Sequence, residues 1–381
     1  MAEDAVLPEP DRVDGFPHPR EALALFGQDQ AEQAFLESWA NGRLHHAWLL
    51  CGPEGVGKAT LAYRIARTLI AQPADTGAGL FGDGPGIPSS LSAPGDCPVQ
   101  ARILAQAEPG LFVLRRSPNP DTGRMRTQIA VDDVRRLRRF LGLSAADGGW
   151  RAVIIDAVDE MNRSSANALL KLLEEPPPRT LFLLVCHAPA GLLATIRSRC
   201  RNLDLSPLSA DALSRALEQA GASVPVGSEE ALAQLGGGSA GAALRLLVND
   251  GLTLYQNLIA LMQKGQGVER TAMTRLADAS AGRQNAERYA TTLSLIQMMV
   301  ARMARTAATY EAQPEAAPGE HALLQAAASS PLQAAAWAEC LSTISSTTRH
   351  AVAVNLDPAQ CVIDTLLEVD TTLGRVRALA A

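Results

Sequence analysis

The sequence predicts an α/β domain with a parallel sheet, followed by regions that are helical throughout. Up to about residue 207, short apolar segments of strand length alternate with segments of helical periodicity. Such alternation is typical of a parallel sheet that carries helices on both faces. A glycine-rich turn joins the first predicted strand to its helix. A chain of 381 residues is long enough for two or three domains of this kind.

The composition is that of a globular protein without a general attraction to nucleic acid. Hydrophobic residues make up 47% of the chain and charged residues 19%, which is enough apolar surface to bury a core. The net charge of -6 provides no global basic field. The six cysteines include no C-x-x-C pair, so we expect reduced thiols and no zinc site. With neither a signal peptide nor a long apolar run, we expect a cytoplasmic protein without membrane contact.

Composition also divides the chain into regions. Prolines near the N-terminus predict a loose leader, and a stretch rich in Gly, Pro, Ser and Ala predicts a flexible insertion in the sheet domain. After the sheet domain, a glycine run separates a short helical region from a longer one. The predicted regions are a leader at 1–22, a sheet domain at 23–207 with the insertion at 73–98, a small helical domain at 208–250 and an all-helical domain at 251–381.

Each element of the sheet domain has its own signal. Apolar residues at helical spacing predict a helix at 31–40. A buried strand at 46–51 leads into the glycine-rich turn, and a helix at 60–71 follows it. Further strands are predicted at 111–114, 152–156, 180–186 and 202–205. Further helices are predicted at 129–140 and through 167–173, and another helix carries Arg197 and Arg199.

The glycine-rich turn matches a phosphate-binding loop. Gly52, Gly57 and Lys58 satisfy the G-x-x-x-x-G-K pattern, and Gly55 adds backbone freedom. Backbone N–H groups of such a loop surround phosphate oxygens at a helix N-terminus, and the lysine reaches the outer phosphates. The strand–loop–helix context favours this interpretation over a chance match.

The same loop lacks a hydroxyl that such sites use to bind magnesium. Ala59 stands where the pattern requires Ser or Thr. Thr60 is counted with the loop, but one residue along a helix turns a side chain by about 100°. We therefore expect weakened binding of ATP and leave magnesium coordination open.

Asp156 ends a buried predicted strand. It resembles the acid that delivers a carboxylate to the magnesium shell in ATPases with this loop. The alternative is that Asp156 caps the following helix. The next residue is Ala157, and the nearest other acids are Asp159 and Glu160. Hydrolysis by this chain alone is therefore expected to be impaired.

Arg199 lies in the segment Thr195-Ile-Arg-Ser-Arg-Cys200, at the end of a predicted helix and just before the last predicted strand. Most arginines are solvated surface residues. The alternative is an arginine finger, which enters the nucleotide site of a neighbouring subunit and stabilises charge on the transferred phosphoryl group.

Together these motifs resemble the clamp-loader branch of the AAA+ ATPases, which includes subunits of bacterial DNA polymerase III. The signature is Asn167-Ala-Leu-Leu-Lys-Leu-Leu-Glu-Glu-Pro-Pro177 followed by Ser198-Arg-Cys200. Two upstream segments, Leu25-Phe-Gly-Gln28 and Arg43-Leu-His-His-Ala-Trp48, fit the same family. The resemblance covers about residues 22–250. It implies an AAA+ sheet domain, a helical lid domain and a C-terminal collar domain for oligomerisation.

Three departures separate the chain from the tau/gamma motor subunits of that family. Ala59 replaces the magnesium-binding hydroxyl, and Gly238-Ser-Ala-Gly241 lacks the arginine of the lid motif. Only Cys97 stands where a four-cysteine zinc module is expected. The pattern is therefore more similar to the delta-prime branch, which implies that Arg199 acts in trans on the ATP of a neighbouring motor subunit. The implied partners are tau/gamma and delta subunits, the sliding clamp and, through the complex, primed DNA. The family places no polymerase active site in such a chain.

Two other functions stay open. In the first, the chain is itself an ATP-hydrolysing motor of the tau/gamma type that uses Lys58, Asp156 and a base such as Glu160. In the second, it is a purely structural module with an empty nucleotide pocket. Turnover by the isolated chain tests the first function, and equilibrium binding of ATP tests the second.

Overall fold

The computed structural model describes residues 9–72, 88–92, 97–119, 122–142, 148–263, 270–280, 286–326 and 331–378. These residues form two compact units. The first comprises the chain up to Gly221 together with Gly238–Gly241, and the second comprises Ala222–Gly237 and the chain from Ala242 onwards. The domain boundaries at residues 207 and 250 stay predictions.

A parallel sheet forms the centre of the first unit, as predicted. In the described residues its strand order is β2-β3-β4-β1-β5, and every neighbouring pair is parallel. The three central strands are buried along their whole length, as expected when helices cover both faces. The strands are β1 (Ala47–Cys51), β2 (Leu111–Arg115), β3 (Arg151–Asp156), β4 (Thr180–Cys186) and β5 (Arg201–Asp204).

Helices cover the sheet on both faces. One apolar cluster holds Phe35 and Leu61 against Leu183, and another holds Leu137 and Leu169 against other strand residues. Alternate residues of β4 contribute to the two clusters because successive strand side chains point to opposite faces. The helices of this unit are α1 (Asp29–Ala40), α2 (Lys58–Ile70), α3 (Pro98–Leu104), α4 (Val131–Gly142), α5 (Arg163–Glu174), α6 (Ala194–Arg197) and α7 (Ala210–Gln219).

Local sequence explains where α5 begins and ends. The side chain of Asn162 accepts a hydrogen bond from the backbone N–H of Ser165, at 2.9 Å, and so caps the first turn. At the other end Pro176 disfavours helical backbone in the residue before it. The helix predicted through 167–173 is confirmed, with one more turn at its start.

Residues 9–21 are anchored to the sheet unit, in contrast to the loose leader that the prolines predicted. Glu9 forms ion pairs with Arg20 at 2.6 Å and with Arg115 at 3.0 Å. Asp11 pairs with Arg115 at 2.5 Å and with the fully buried His18 at 3.0 Å. These contacts between distant segments outweigh the local effect of the prolines. The remaining leader, residues 1–8, lies outside the described residues.

The predicted flexible insertion lies mostly outside the described residues, which exclude 73–87 and 93–96. Within its described part, Leu91 is fully buried in the core beside α2. The hydroxyl of Thr68 donates to the carbonyl oxygen of Leu91 at 3.3 Å. The predicted insertion therefore contains one residue, Leu91, that is packed in the core of the sheet unit.

The described part of the second unit is helical, and one apolar cluster runs through it with Tyr255, Met299 and Trp337 fully buried. The longest helices pack against one another, α12 on α14 and both on α15. None of its described helices, nor any described helix of the first unit, is by itself long and apolar enough to cross a membrane. The elements are α8 (Glu229–Gly236), α9 (Ala240–Val248), α10 (Gly251–Gln263), α11 (Arg270–Ser280), α12 (Ala286–Thr309), α13 (Glu320–Ala326), α14 (Pro331–Ala353) and α15 (Pro358–Ala378).

A buried polar network stabilises the segment that connects α12 to α13. Glu320 is fully buried and accepts hydrogen bonds from Arg302 Nε at 2.6 Å, Tyr255 Oη at 2.5 Å and the backbone N–H of Ala316 at 2.6 Å. Arg302 also donates to the carbonyl oxygen of Pro314 at 2.5 Å. Burial and the Glu320 carboxylate raise the pKa of Tyr255. The charges are paired, as buried charges must be.

Candidate functional site

The predicted phosphate-binding loop lies between the end of β1 and the start of α2. Gly52, Gly55 and Gly57 have φ values of 148°, 77° and 105°, in the region that favours glycine. Gly57 is the N-cap of α2, and Lys58 is the first residue of the helix. The glycines therefore bend the chain so that the loop sits at a helix N-terminus, the geometry of an anion site.

The segment Gly238–Gly241 lies directly on this loop. The backbone N–H of Gly241 donates to the carbonyl oxygen of Gly55 at 3.1 Å, and Ser239 Oγ donates to that of Glu54 at 2.7 Å. A side chain at Gly55 would place its Cβ 2.4 Å from Ser239 Oγ. The sequence identified this segment only by its missing arginine, and its contact with the loop was not predicted.

Lys58 is hydrogen-bonded within its own loop. Its Nζ donates to the carbonyl oxygens of Gly52 at 2.6 Å and Pro53 at 2.5 Å. The side chain is almost fully buried, and burial lowers its pKa, although the carboxylates of Asp156 and Glu54 oppose this change. Because an ammonium group has three donors, two of them are already taken by the loop.

Asp156 ends β3 and is buried. Burial raises the pKa of Asp156 to about 7, and the carboxylates of Asp11 and Glu160 contribute to the rise. The alternative role of Asp156 as a helix cap is wrong. The N-cap residue of the short 3-10 turn that follows β3 is Ala157, and no side chain caps that turn.

The other acids near the end of β3 have local partners. Glu160 pairs with Arg116 at 2.8 Å. The carboxylate of Asp159 accepts the backbone N–H groups of His187 and Ala188, each at 3.1 Å, and so shapes the chain after β4. Burial raises the pKa of Glu160, although the Arg116 guanidinium opposes this change.

Gln28 is a further residue of the site. It belongs to a segment that fits the family, but no role was predicted for it. Its amide nitrogen donates to the carbonyl oxygens of Val56 at 3.1 Å and Ser206 at 2.7 Å. The backbone N–H of Ser206 donates back to its amide oxygen at 3.2 Å. Gln28 therefore links the loop to the segment that leaves β5. The signal in the sequence was a polar residue directly after Leu25-Phe-Gly27. In the fold the Gln28 side chain at this position is buried.

Arg199 lies in the turn between α6 and β5, beyond the end of the helix at Arg197. Its Nη2 is 2.8 Å from Glu174 Oε1, and its Nη1 donates to the carbonyl oxygen of Thr195 at 2.9 Å. About a third of the side chain, 34%, remains exposed. The contacts connect Arg199 to α5 and α6 rather than to the loop of its own chain.

The loop, Asp156 and Arg199 all fall within residues 27–209, which match the family model described as DNA polymerase III, delta subunit. This region is similar to that family and to the DNA polymerase III subunits compared below. The resemblance to DNA polymerase III subunits predicted from the motifs is thereby confirmed. The predicted parallel sheet domain is confirmed by the strand pairing.

Three relatives give the scale of the likeness. DNA polymerase III subunit delta' of Pseudomonas aeruginosa is 36% identical over 220 residues, or 56% of this chain and 60% of the relative. Subunit delta' of Escherichia coli is 32% identical over 220 residues, 57% of this chain and 59% of the relative. Subunit tau of Salmonella typhimurium is 31% identical over 242 residues, 64% of this chain and 34% of the relative. The matches thus span 60% or less of each of these three relatives.

Proposed function

We propose that this chain is a non-motor subunit of a DNA polymerase III clamp loader, with little or no ATPase activity of its own. The observation that carries the proposal is the state of Lys58, whose ammonium group is bonded to the loop carbonyl oxygens of Gly52 and Pro53. In an active loop this lysine reaches the outer phosphates of the nucleotide. Here two of its three N–H donors are already bonded to the loop, which leaves one for a nucleotide.

The residues around the loop fit magnesium-ATP poorly. Ala59 provides no hydroxyl for the metal, and the pKa of Asp156 is raised to about 7 by burial and by neighbouring carboxylates. The segment Gly238–Gly241 approaches the loop to within hydrogen-bond distance. These features support weak binding of ATP and argue against the motor alternative.

Arg199 is the residue by which the chain would act on a neighbour. Its guanidinium is exposed on one side and held on the other by Glu174 and Thr195. A planar guanidinium presents several donors to phosphoryl oxygens at once. We propose that Arg199 stabilises the charge that develops on the phosphoryl group at the nucleotide site of an adjacent motor subunit.

The partners follow from this role. A finger in trans requires a motor subunit of the tau/gamma type beside the sheet unit, and the helical second unit would serve as a collar. Through that assembly the chain would contribute to loading the sliding clamp on primed DNA together with a delta subunit. The match of residues 27–209 to the family model supports this assignment.

Reconstitution tests the proposal. The full chain is mixed with a tau/gamma-type motor subunit and a delta subunit, and phosphate release is measured with and without primed DNA. We expect the isolated chain to release almost no phosphate and the complex to show DNA-stimulated release. The variant Lys58→Ala in this chain should leave the rate of the complex unchanged. Brisk phosphate release from the isolated chain, lost in Lys58→Ala, would instead establish the motor alternative.

A further inference from the structure

Two neighbouring strands end in cysteines that stand opposite each other. Cys51 is the last residue of β1 and Cys186 the last of β4, and the two are paired in register. Both side chains belong to the same apolar cluster, so they lie on the same face of the sheet. Both cysteines are free thiols, and they hydrogen-bond to each other.

The spacing of these cysteines suits a disulfide bond. Neighbouring strands of a sheet lie about 4.8 Å apart. Disulfides form between residues whose Cα atoms are about 4.4–6.8 Å apart. Opposed residues on one face of adjacent strands meet this Cα requirement.

The two thiols differ in reactivity. The hydrogen bond from Cys186 lowers the pKa of Cys51, and the nearby Lys58 ammonium also favours its thiolate, although burial opposes both. The same hydrogen bond, together with burial, raises the pKa of Cys186. Cys51, which keeps 7% of its surface exposed, is therefore the more readily ionised thiol, and the fully buried Cys186 is the neighbouring thiol that can react with it.

Neighbouring and distant cysteines do not share this environment. Burial raises the pKa of Cys200 to about 12, which keeps its thiol protonated. Cys340 lies in the other unit, where burial raises its pKa as well. Cys200 and Cys340 therefore provide matched controls, one near the pair and one far from it.

We propose that Cys51 and Cys186 form a peroxide-responsive dithiol at the base of the phosphate-binding loop. The Cys51 thiolate attacks one oxygen of a hydroperoxide, and the O–O bond breaks to give a sulfenic acid and a leaving oxygen that takes up a proton. Cys186 then loses its proton and attacks the Cys51 sulfur, so that an S–S bond forms while the S–O bond breaks and water leaves. Both thiols are oxidised and the hydroperoxide is reduced.

The bond would connect two segments of the candidate site. Cys51 directly precedes Gly52, and its carbonyl oxygen accepts the N–H of Leu205 at 2.8 Å. Cys186 directly precedes His187, whose N–H is held by Asp159. Oxidation would thus tie the start of the loop to the end of β4, and a thiol reductant would release it.

Peptide mapping of the full chain tests the proposal. After treatment with hydrogen peroxide and alkylation of the remaining thiols, trypsin should yield peptide 44–58 linked to peptide 180–197. The linked species should lack two hydrogen atoms and separate on reduction. Cys51→Ser should abolish it, and Cys186→Ser should leave a Cys51 sulfenic acid that dimedone traps. Cys200→Ser and Cys340→Ser should retain the link.

Three results would overturn the proposal. The first is a link between Cys51 and Cys200, and the second is a wild-type Cys51 that survives peroxide doses sufficient to oxidise Cys97. The third is a Cys51 that forms no dimedone adduct in Cys186→Ser after peroxide treatment. Mapping of the wild-type chain does not depend on the folding of any variant, and circular dichroism of the serine variants supplies the folding control.

Discussion

The guanidinium of Arg199 forms an ion pair with Glu174, with 2.8 Å between Nη2 and Oε1. The two residues come from separate motifs, one at the end of α5 and the other after α6. Glu174 thereby limits the directions in which the exposed side of Arg199 can point. The proposed finger is thus oriented by a carboxylate from its own chain.

Replacement of Arg199 should affect catalysis by the assembled complex and not the folding of this chain. We expect Arg199→Ala to reduce DNA-stimulated ATP turnover at the adjacent motor site by about 10³-fold, the lower end of the effect of such fingers. Its ion pair is partly exposed, so stability should change by less than about 1 kcal/mol. Arg197→Ala, two residues away and also exposed, is the matched control. Equal turnover for Arg199→Ala and Arg197→Ala would remove the finger assignment.

Replacement of Glu174 should test orientation separately from charge. Glu174→Gln keeps the shape of the side chain but removes the ion pair, so we expect a smaller loss of turnover than in Arg199→Ala. The unfolding free energy should again change by less than about 1 kcal/mol. Glu175→Gln changes the adjacent exposed carboxylate and should have no effect on turnover. Turnover in Glu174→Gln that equals the wild type would show that the pair does not position the arginine.

Restoring the loop hydroxyl should not restore hydrolysis. Ala59→Thr completes the sequence pattern of the loop, but Lys58 remains bonded to Gly52 and Pro53, and Asp156 remains buried. We expect tighter binding of ATP in the presence of magnesium, measured by calorimetry, without phosphate release by the isolated chain. Ala59→Val, which adds bulk but no hydroxyl, controls for size. Rapid phosphate release by Ala59→Thr would show that the missing hydroxyl alone disables this site.

Asp156 should make the stability of the chain fall as the pH rises. Its pKa is 3.8 without the protein environment and about 7 in the folded chain. The folded state therefore holds an extra proton between these values, and stability falls as the pH rises from about 4 to about 7. A tenfold change in proton affinity corresponds to about 1.4 kcal/mol.

The variant Asp156→Asn lacks this proton and should gain stability relative to the wild type as the pH increases. Urea unfolding at about pH 5 and about pH 8 measures the difference, and the advantage of the variant should be larger at the higher pH. Asp14→Asn, which alters an exposed carboxylate, is the control. An advantage that is the same at both pH values would contradict the raised pKa.

The buried network of the second unit should be sensitive to the loss of one charge. Glu320→Ala leaves the Arg302 guanidinium buried and without its carboxylate, so we expect a loss of about 3–5 kcal/mol in unfolding free energy. Tyr255→Phe removes one hydrogen bond to the same carboxylate and should cost about 1–3 kcal/mol. Chemical unfolding followed by circular dichroism measures both. Similar losses in the two variants would mean that the arginine finds another partner.

Much of the sheet unit could be predicted from local patterns. Apolar runs located the strands, for example Thr180–Cys186, because a strand buried on both faces is continuously apolar. The glycines of the phosphate-binding loop identified its position, since few other residues adopt their backbone angles. The boundaries of helices such as α5 followed from a capping residue and a proline.

Contacts between distant segments could not be predicted in this way. Prolines suggested a loose leader, but ion pairs between Glu9, Asp11 and Arg115 anchor it to the end of β2. The helix predicted to carry Arg199 ends two residues earlier, and the ion pair with Glu174 depends on how α5 and α6 meet.

By itself, the sequence determined the order of the strands along the chain, most helices of the sheet unit, the position of the phosphate-binding loop and the residue types available to it. Only the tertiary structure decided that Gly238–Gly241 covers the loop and that Cys51 faces Cys186. The reason is that backbone preferences act over a few neighbouring residues, whereas these contacts depend on strand order and on the packing of segments that are far apart in the chain.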